Sequence, residues 1–153
     1  MRLRRAALGL AMVAGLAAAD PAPASAQGYQ FFAVLNGGNV VSASGRAYAG
    51  VRDGSGAAAI TANRENTRLC VAILVNLIDK PTSAHLHEAT AGKNGPIVAT
   101  LTAPASGNPG TSSVCLASTD RAMVQRLRET PTNFYVDVHT GDFPASALRG
   151  QIH

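Results

Sequence analysis

Short apolar runs separated by turn-forming residues constrain the fold of this chain more than any other feature of its sequence. The runs are about five to eight residues long, and segments rich in Gly, Pro, Asn and Asp separate them roughly every 8–12 residues. Strand-like and helix-like segments do not alternate, which disfavours a parallel sheet. The pattern predicts an all-β, antiparallel sandwich or barrel.

One segment, near residues 118–129, has the pattern of a short helix instead. Ser118 or Thr119 is in position to cap the helix N-terminus, and a proline at position 131 would stop the helix. The residues expected to pack against the core form an apolar stripe of Met123, Val124 and Leu127.

The N-terminus has the pattern of a secretory signal peptide. Residues 2–5 contain three arginines, residues 6–19 are uncharged and mostly apolar, and residues 24–26 form a small-x-small cleavage signal. The apolar run is shorter than the about 20 residues that a membrane span needs. We therefore expect a signal peptide at residues 1–26 and one exported domain at residues 27–153, periplasmic or secreted, with no membrane span in the mature chain.

The charge of the expected mature domain argues against a nucleic-acid partner. The whole chain has 13 basic and nine acidic side chains, but the predicted signal peptide carries three of the former and one of the latter. The mature domain would therefore have a net charge of only +2, without a basic stripe or an aromatic platform. A protein or another component of the cell envelope is the expected kind of partner.

Two cysteines lie in apolar runs of the expected exported domain. Cys70 belongs to the most apolar run, residues 69–75, which predicts a strand covered on both faces. Cys115 lies in a second run, and an even number of cysteines in an exported chain is typical of a disulfide. We expect a Cys70–Cys115 disulfide between two strands, with two buried free thiols as the alternative.

Three of the four histidines lie in two predicted strands. His85 and His87 are one residue apart, so in a strand they share one face while Ala84 and Leu86 share the other. His139 ends the run of residues 133–139. Since the two neighbouring apolar residues face the core, we expect His85 and His87 on the outer face of the sheet, under loops.

The same alternation places Asp137 and His139 on the outer face of the second strand. The opposite face of that strand carries its apolar residues, Phe134, Val136 and Val138.

Imidazoles from two neighbouring strands would make a three-nitrogen site for one copper or zinc ion. In that site Asp137 is either an acceptor behind a ligand histidine or a fourth ligand, and Arg149 is expected to pair with it. His153, the last residue, is a further candidate ligand. The alternative is that the histidines form hydrogen bonds across the strands and hold the loop of residues 91–96.

The sequence resembles the CHRD family, a domain repeated in chordin and found singly in many exported bacterial proteins. The segments that carry the resemblance follow the family order and cover nearly the whole mature chain: residues 31–37, 84–87 with 94–98, 133–140 and 143–152. One departure is Ala147, where the family often has glutamate. The resemblance implies a Greek-key, immunoglobulin-like sandwich or barrel with a distant similarity to copper-zinc superoxide dismutase, and it implies no established activity.

Two functions of different classes follow from these observations. The first is a non-enzymatic binding or structural module with a mononuclear metal site at His85, His87 and His139. The second is a copper-dependent redox enzyme similar to superoxide dismutase, since the His-x-His pair is similar to two copper ligands of that enzyme. Four histidines are too few for two metal sites joined by an imidazole, and no Gly-x-Ser-x-Gly elbow is present. No catalytic residue is predicted.

Overall fold

A computed structural model describes residues 28–117 and 120–153 of the chain. The predicted signal peptide lies outside the described residues. The described residues form one antiparallel sheet of eight strands with the order β5-β4-β7-β8-β1-β2-β3-β6. The strands are β1 (Tyr29–Asn36), β2 (Ser55–Ala62), β3 (Arg68–Asn76), β4 (Pro81–Glu88), β5 (Ile97–Leu101), β6 (Gly110–Ala117), β7 (Phe134–Thr140) and β8 (Leu148–Gln151).

The sheet curls until its two edge strands approach each other. The hydroxyl of Ser112 in β6 donates a hydrogen bond of 2.7 Å to the carbonyl of Thr102, which directly follows β5. The predicted all-β antiparallel class is therefore confirmed, as a nearly closed, barrel-like sheet. The finer Greek-key, immunoglobulin-like arrangement stays a prediction.

The core fills the inside of this curled sheet, and strand alternation decides which side chains enter it. In β3, Leu69, Val71 and Ile73 are buried while Ala72 and Leu74 are exposed. The prediction that this run is covered on both faces was wrong, because no segment of the described chain covers the outer face of this strand. The exposed side chain of Leu74 retains 47% of its accessible surface.

The helix α1 (Arg121–Glu129) packs its predicted apolar stripe into the core, as Met123, Val124 and Leu127 are all buried. Its N-cap is Asp120 rather than the predicted Ser118 or Thr119, both of which lie outside the described residues. A carboxylate oxygen of Asp120 accepts a 2.9 Å hydrogen bond from the Ala122 amide, and this acceptor suits the exposed amides at a helix start.

Cys70 and Cys115 form the expected disulfide between neighbouring strands. They are direct register partners in the β3–β6 pair, with their Cα atoms 4.0 Å apart. The closed loop has a sequence separation of 45 residues. On the chain-entropy model a loop of this size stabilises the fold by roughly 4 kcal/mol.

Two irregular segments cover the outer face of β4, β7 and β8. The cover segment, residues 37–54, is attached to β8 through the Val51 amide, which donates to the Ala147 carbonyl at 2.9 Å. The second segment, residues 89–96, is joined to the first by Asn94, whose side-chain amide donates to the carbonyl oxygens of Val41 and Ser42 at 3.1 Å each. This covered half of the outer face is where the candidate site lies.

Within the described residues, no helix has both the length and the apolar character that crossing a membrane requires.

Candidate metal centre

Strands β4 and β7 pair directly, and this pairing brings the three predicted histidines together. The register sets Ser83 opposite His139 and His85 opposite Asp137. Leu86, between the two histidines of β4, has no exposed surface. Because Leu86 points into the core, the side chains of His85 and His87 on either side of it both project from the outer face of the sheet. The expectation that the histidines lie outside the core and under loops is confirmed.

The carboxylate of Asp137 lies in the middle of the cluster. Its Oδ2 atom is 3.2 Å from His87 Nε2. Its Oδ1 atom is 3.1 Å from His139 Nε2 and 3.5 Å from His85 Nδ1. His85 Nδ1 and His139 Nε2 are 2.9 Å apart, and one ligand atom from each of the four residues lies within 4.8 Å of all the others. Of the two predicted roles for Asp137, the geometry therefore fits a fourth ligand.

Backbone carbonyls determine the tautomers of two histidines. His87 Nδ1 is 2.9 Å from the carbonyl oxygen of Gly95, and His139 Nδ1 is 2.9 Å from that of Pro144. A carbonyl oxygen can only accept, so both Nδ1 atoms carry a hydrogen and donate it. In the neutral imidazole each Nε2 atom then has a lone pair, and both Nε2 atoms lie within 3.2 Å of a carboxylate oxygen of Asp137. Ligand histidines in metalloproteins are commonly oriented by such a bond to the other ring nitrogen.

Two atoms of the cluster are buried without a hydrogen-bond partner. They are His87 Nε2 and Asp137 Oδ1, which approach other cluster atoms without meeting hydrogen-bond geometry. With neutral imidazoles, His139 Nε2 can accept a hydrogen bond from His85 Nδ1, but the lone pair of His87 Nε2 lies 3.2 Å from an oxygen of the carboxylate, which is unfavourable. Buried polar atoms normally find partners, so this arrangement calls for a cation in the centre, either protons or a metal ion.

Burial and mutual attraction move the pKa values of the cluster in different directions. Burial lowers the pKa of His85, and the facing Asp137 carboxylate raises the pKa of His139. Burial by itself would raise the pKa of Asp137, but the interactions with His139 and His87 outweigh it and lower that pKa. The ionised carboxylate of Asp137 therefore favours the protonated form of His139.

Tyr135 lies between the cluster and Arg149. Its ring stacks on the ring of His87 with a centroid separation of 4.6 Å and an interplanar angle of 7°. The guanidinium carbon of Arg149 lies 3.5 Å from the Tyr135 ring centroid. The His87 ring is therefore held both by packing against Tyr135 and by its hydrogen bond to the Gly95 carbonyl.

The prediction of an ion pair between Arg149 and Asp137 was wrong, although the two residues are register partners in the β7–β8 pair. None of the ion pairs in the described part of the chain involves Arg149. The guanidinium donates to uncharged oxygens of the 89–96 segment instead. These oxygens are the carbonyls of Thr90 (3.3 Å) and Lys93 (2.8 Å) and the side-chain oxygen of Asn94 (3.2 Å).

A cavity of about 230 Å³ opens over one side of the cluster. Its wall includes His87, Asp137 and His139 but not His85. His153, the further candidate from the sequence, is not part of the cluster, and its backbone pairs with Phe32 at the end of the sheet.

Sequence reasoning did not identify the Gly95 and Pro144 carbonyls as partners of the histidines. The glycine at position 95 is the one sequence signal for this contact, because a Cβ atom there would lie 2.0 Å from the Glu88 carbonyl oxygen. Only glycine fits so close to β4 at this point. The alternative prediction also describes real contacts, since His85 meets His139 across the strands and His87 holds the 89–96 segment.

The family model described as the CHRD domain matches residues 31–152, which is most of the chain and includes the whole cluster. No curated protein matches the sequence at a significant level.

Proposed function

The chain belongs to the CHRD domain family, and on that premise we propose that it is an exported, non-enzymatic binding or structural domain that holds one metal ion at its three-histidine and aspartate cluster. One observation carries the metal site: a nitrogen of each of the three histidines and an oxygen of the buried Asp137 carboxylate lie within 4.8 Å of one another. Two of these atoms, His87 Nε2 and Asp137 Oδ1, are buried without a hydrogen-bond partner. A divalent ion in the centre would give both of these atoms a bonding partner.

The donor set favours zinc or copper. Three imidazole nitrogens and one carboxylate oxygen are the ligand types that both ions accept, whereas calcium and magnesium prefer sites made of oxygen alone. Bonds of about 2.0–2.1 Å in a tetrahedron separate ligand atoms by about 3.4 Å. The separations of 2.9–3.5 Å around Asp137 and His139 are close to that value. The wider separations, up to 4.8 Å, would have to shorten on binding.

Export is supported by the signal-peptide pattern of residues 1–26 together with the Cys70–Cys115 disulfide, since disulfides persist in oxidising compartments. We assign the role of the domain to the periplasm or the cell exterior, with a protein or another envelope component as partner. The immunoglobulin-like, Greek-key arrangement belongs to the same proposal.

The alternative of a copper-dependent, dismutase-like enzyme has no specific observation in its favour. The part of the chain that the structure describes contains one cluster able to hold a metal ion. A copper and a zinc site joined by a bridging imidazole would need a second cluster beside it.

Metal titration of the purified mature domain tests the proposal. After removal of bound metal with a chelator, calorimetric titration with Zn²⁺, and with Cu²⁺ in a weakly competing buffer, should give one site per chain. His87→Ala should weaken binding at least about 100-fold, because it removes a ligand and its carbonyl-oriented lone pair. His153→Ala is the matched control and should bind like the wild type. Wild-type binding no tighter than about 1 mM for both ions would refute the proposal.

A further inference from the structure

The cavity over the cluster reaches only one side of the candidate metal centre. Its wall includes ligand side chains from β4 and β7, namely His87, Asp137 and His139, while His85 lies away from it. A metal ion held by all four residues would therefore face the cavity with its least enclosed side. Because four protein ligands would already complete a tetrahedron, a further molecule has to take a fifth coordination position, on the side of the metal ion that the protein does not cover.

The size of the cavity restricts that further molecule to a few atoms. A volume of about 230 Å³ holds several water molecules, each of which occupies about 30 Å³ in the liquid. The outer rim is formed by small and aliphatic side chains, including Val41, Ala43 and Ala145. A drug-sized or sugar-sized ligand would need about 300–1,000 Å³.

The charge of the cavity wall determines whether the bound molecule should be an anion or a cation. Apart from the histidines, the ionisable wall residues with a charge at neutral pH are Asp137 and Arg149. Arg149 is only 2% exposed, and it forms no ion pair within the described chain. A divalent ion that takes Asp137 as a ligand would leave two net positive charges beside this small, half-open cavity. Uncompensated charge in such surroundings is costly, and a bound anion would relieve that cost.

We infer that the metal centre has a coordination position open to this cavity and binds a small anion there. The inference rests on the proposed metal site. Arg149, which also lines the cavity, contributes its positive charge, while the ring of Tyr135 separates its guanidinium from the His87 ring. The ligand class is a small inorganic anion or a short carboxylate, and azide is a suitable probe because it absorbs strongly when bound to Cu²⁺.

The experiment uses the copper-loaded mature domain and titrates it with azide. The expected result is a saturable azide-to-copper charge-transfer band and a shift in the electron paramagnetic resonance spectrum of the copper. Ala145→Leu should narrow the cavity at its exposed rim and weaken azide binding at least about 10-fold, equivalent to about 1.4 kcal/mol, while copper affinity stays within about 2-fold of the wild type. Ala59→Leu places the same side chain at an exposed position on β2, away from the cluster, and should change neither affinity.

The outcomes separate this inference from the proposed function. Copper binding without an azide band would overturn the open position and leave the metal site intact. An azide affinity that Ala145→Leu does not change would overturn the assignment to this cavity. Absence of copper and zinc binding by the wild type would overturn both the metal site and the anion site.

Discussion

The substitution Asp137→Asn tests the centre of the cluster with the smallest change in shape. The asparagine side chain is nearly the same size as the carboxylate, so the packing under the cover segment should be retained. The substitution removes the negative charge that lies 3.1–3.5 Å from a nitrogen of each histidine. If Asp137 is a ligand, we expect metal affinity to fall at least about 100-fold, because even residues behind the ligands commonly account for 10–100-fold.

The expected magnitude follows from linkage between binding and folding. At a free metal concentration about 100 times the wild-type Kd, binding stabilises the folded state by about 2.7 kcal/mol. A 100-fold weaker variant at the same concentration gains only about 0.4 kcal/mol, so it loses about 2.3 kcal/mol of metal-dependent stabilisation. For a domain of this size, the metal-induced rise in Tm should fall from roughly 10 °C to about 1–2 °C.

Thermal unfolding with and without Zn²⁺ measures this difference for the wild type, Asp137→Asn and His153→Ala. The metal-dependent change in Tm is compared rather than the absolute Tm, because the substitution also removes the partner that raises the pKa of His139 in the metal-free protein. His153→Ala should keep the full wild-type rise. A rise in Asp137→Asn equal to that of the wild type would show that the carboxylate is not a ligand.

Other perturbations test the framework around the site. Reduction of the disulfide between β3 and β6 should lower the free energy of unfolding by about 4 kcal/mol in a urea titration, and an unchanged midpoint would contradict its predicted contribution. Leu86→Ala, at a side chain with no exposed surface, should lower the free energy of unfolding by about 2–5 kcal/mol. Leu74→Ala, at an exposed side chain, should lower it much less, and equal losses would contradict the faces assigned to the two leucines. Gly95→Ala should displace the carbonyl that holds His87 and so weaken zinc binding in calorimetry, while Gly141→Ala, where a Cβ atom meets nothing within 4 Å, should leave binding unchanged.

Strand alternation accounts for the parts of the site that were predicted correctly. The shared face of His85 and His87 depends only on the two-residue period of an extended backbone and on the apolar character of Leu86. The same rule placed Asp137 and His139 on the outer face of β7. These features are local, and so they can be read from the order of residues along each strand.

The incorrect predictions concern contacts with segments distant in the chain. Residues 69–75 have a continuous apolar pattern, yet one face of that strand is exposed because the cover segment lies over the other half of the sheet. Arg149 is the register partner of Asp137, yet its side chain turns to carbonyl oxygens of the 89–96 segment. Which oxygens a long side chain can reach depends on how loops pack, and this has no signature in the residue's own strand.

From residue order alone, the chain specifies an all-β fold, a disulfide between two apolar strands, and histidines that face away from the core, because each of these depends on local periodicity and composition. Tertiary structure decides that β4 and β7 are neighbours and that two loops bring the carbonyls of Gly95 and Pro144 to the Nδ1 atoms of His87 and His139. Those two hydrogen bonds fix the tautomers and leave both Nε2 atoms beside a buried carboxylate. A histidine pair on a strand becomes a candidate metal centre only through acceptors that distant parts of the chain supply.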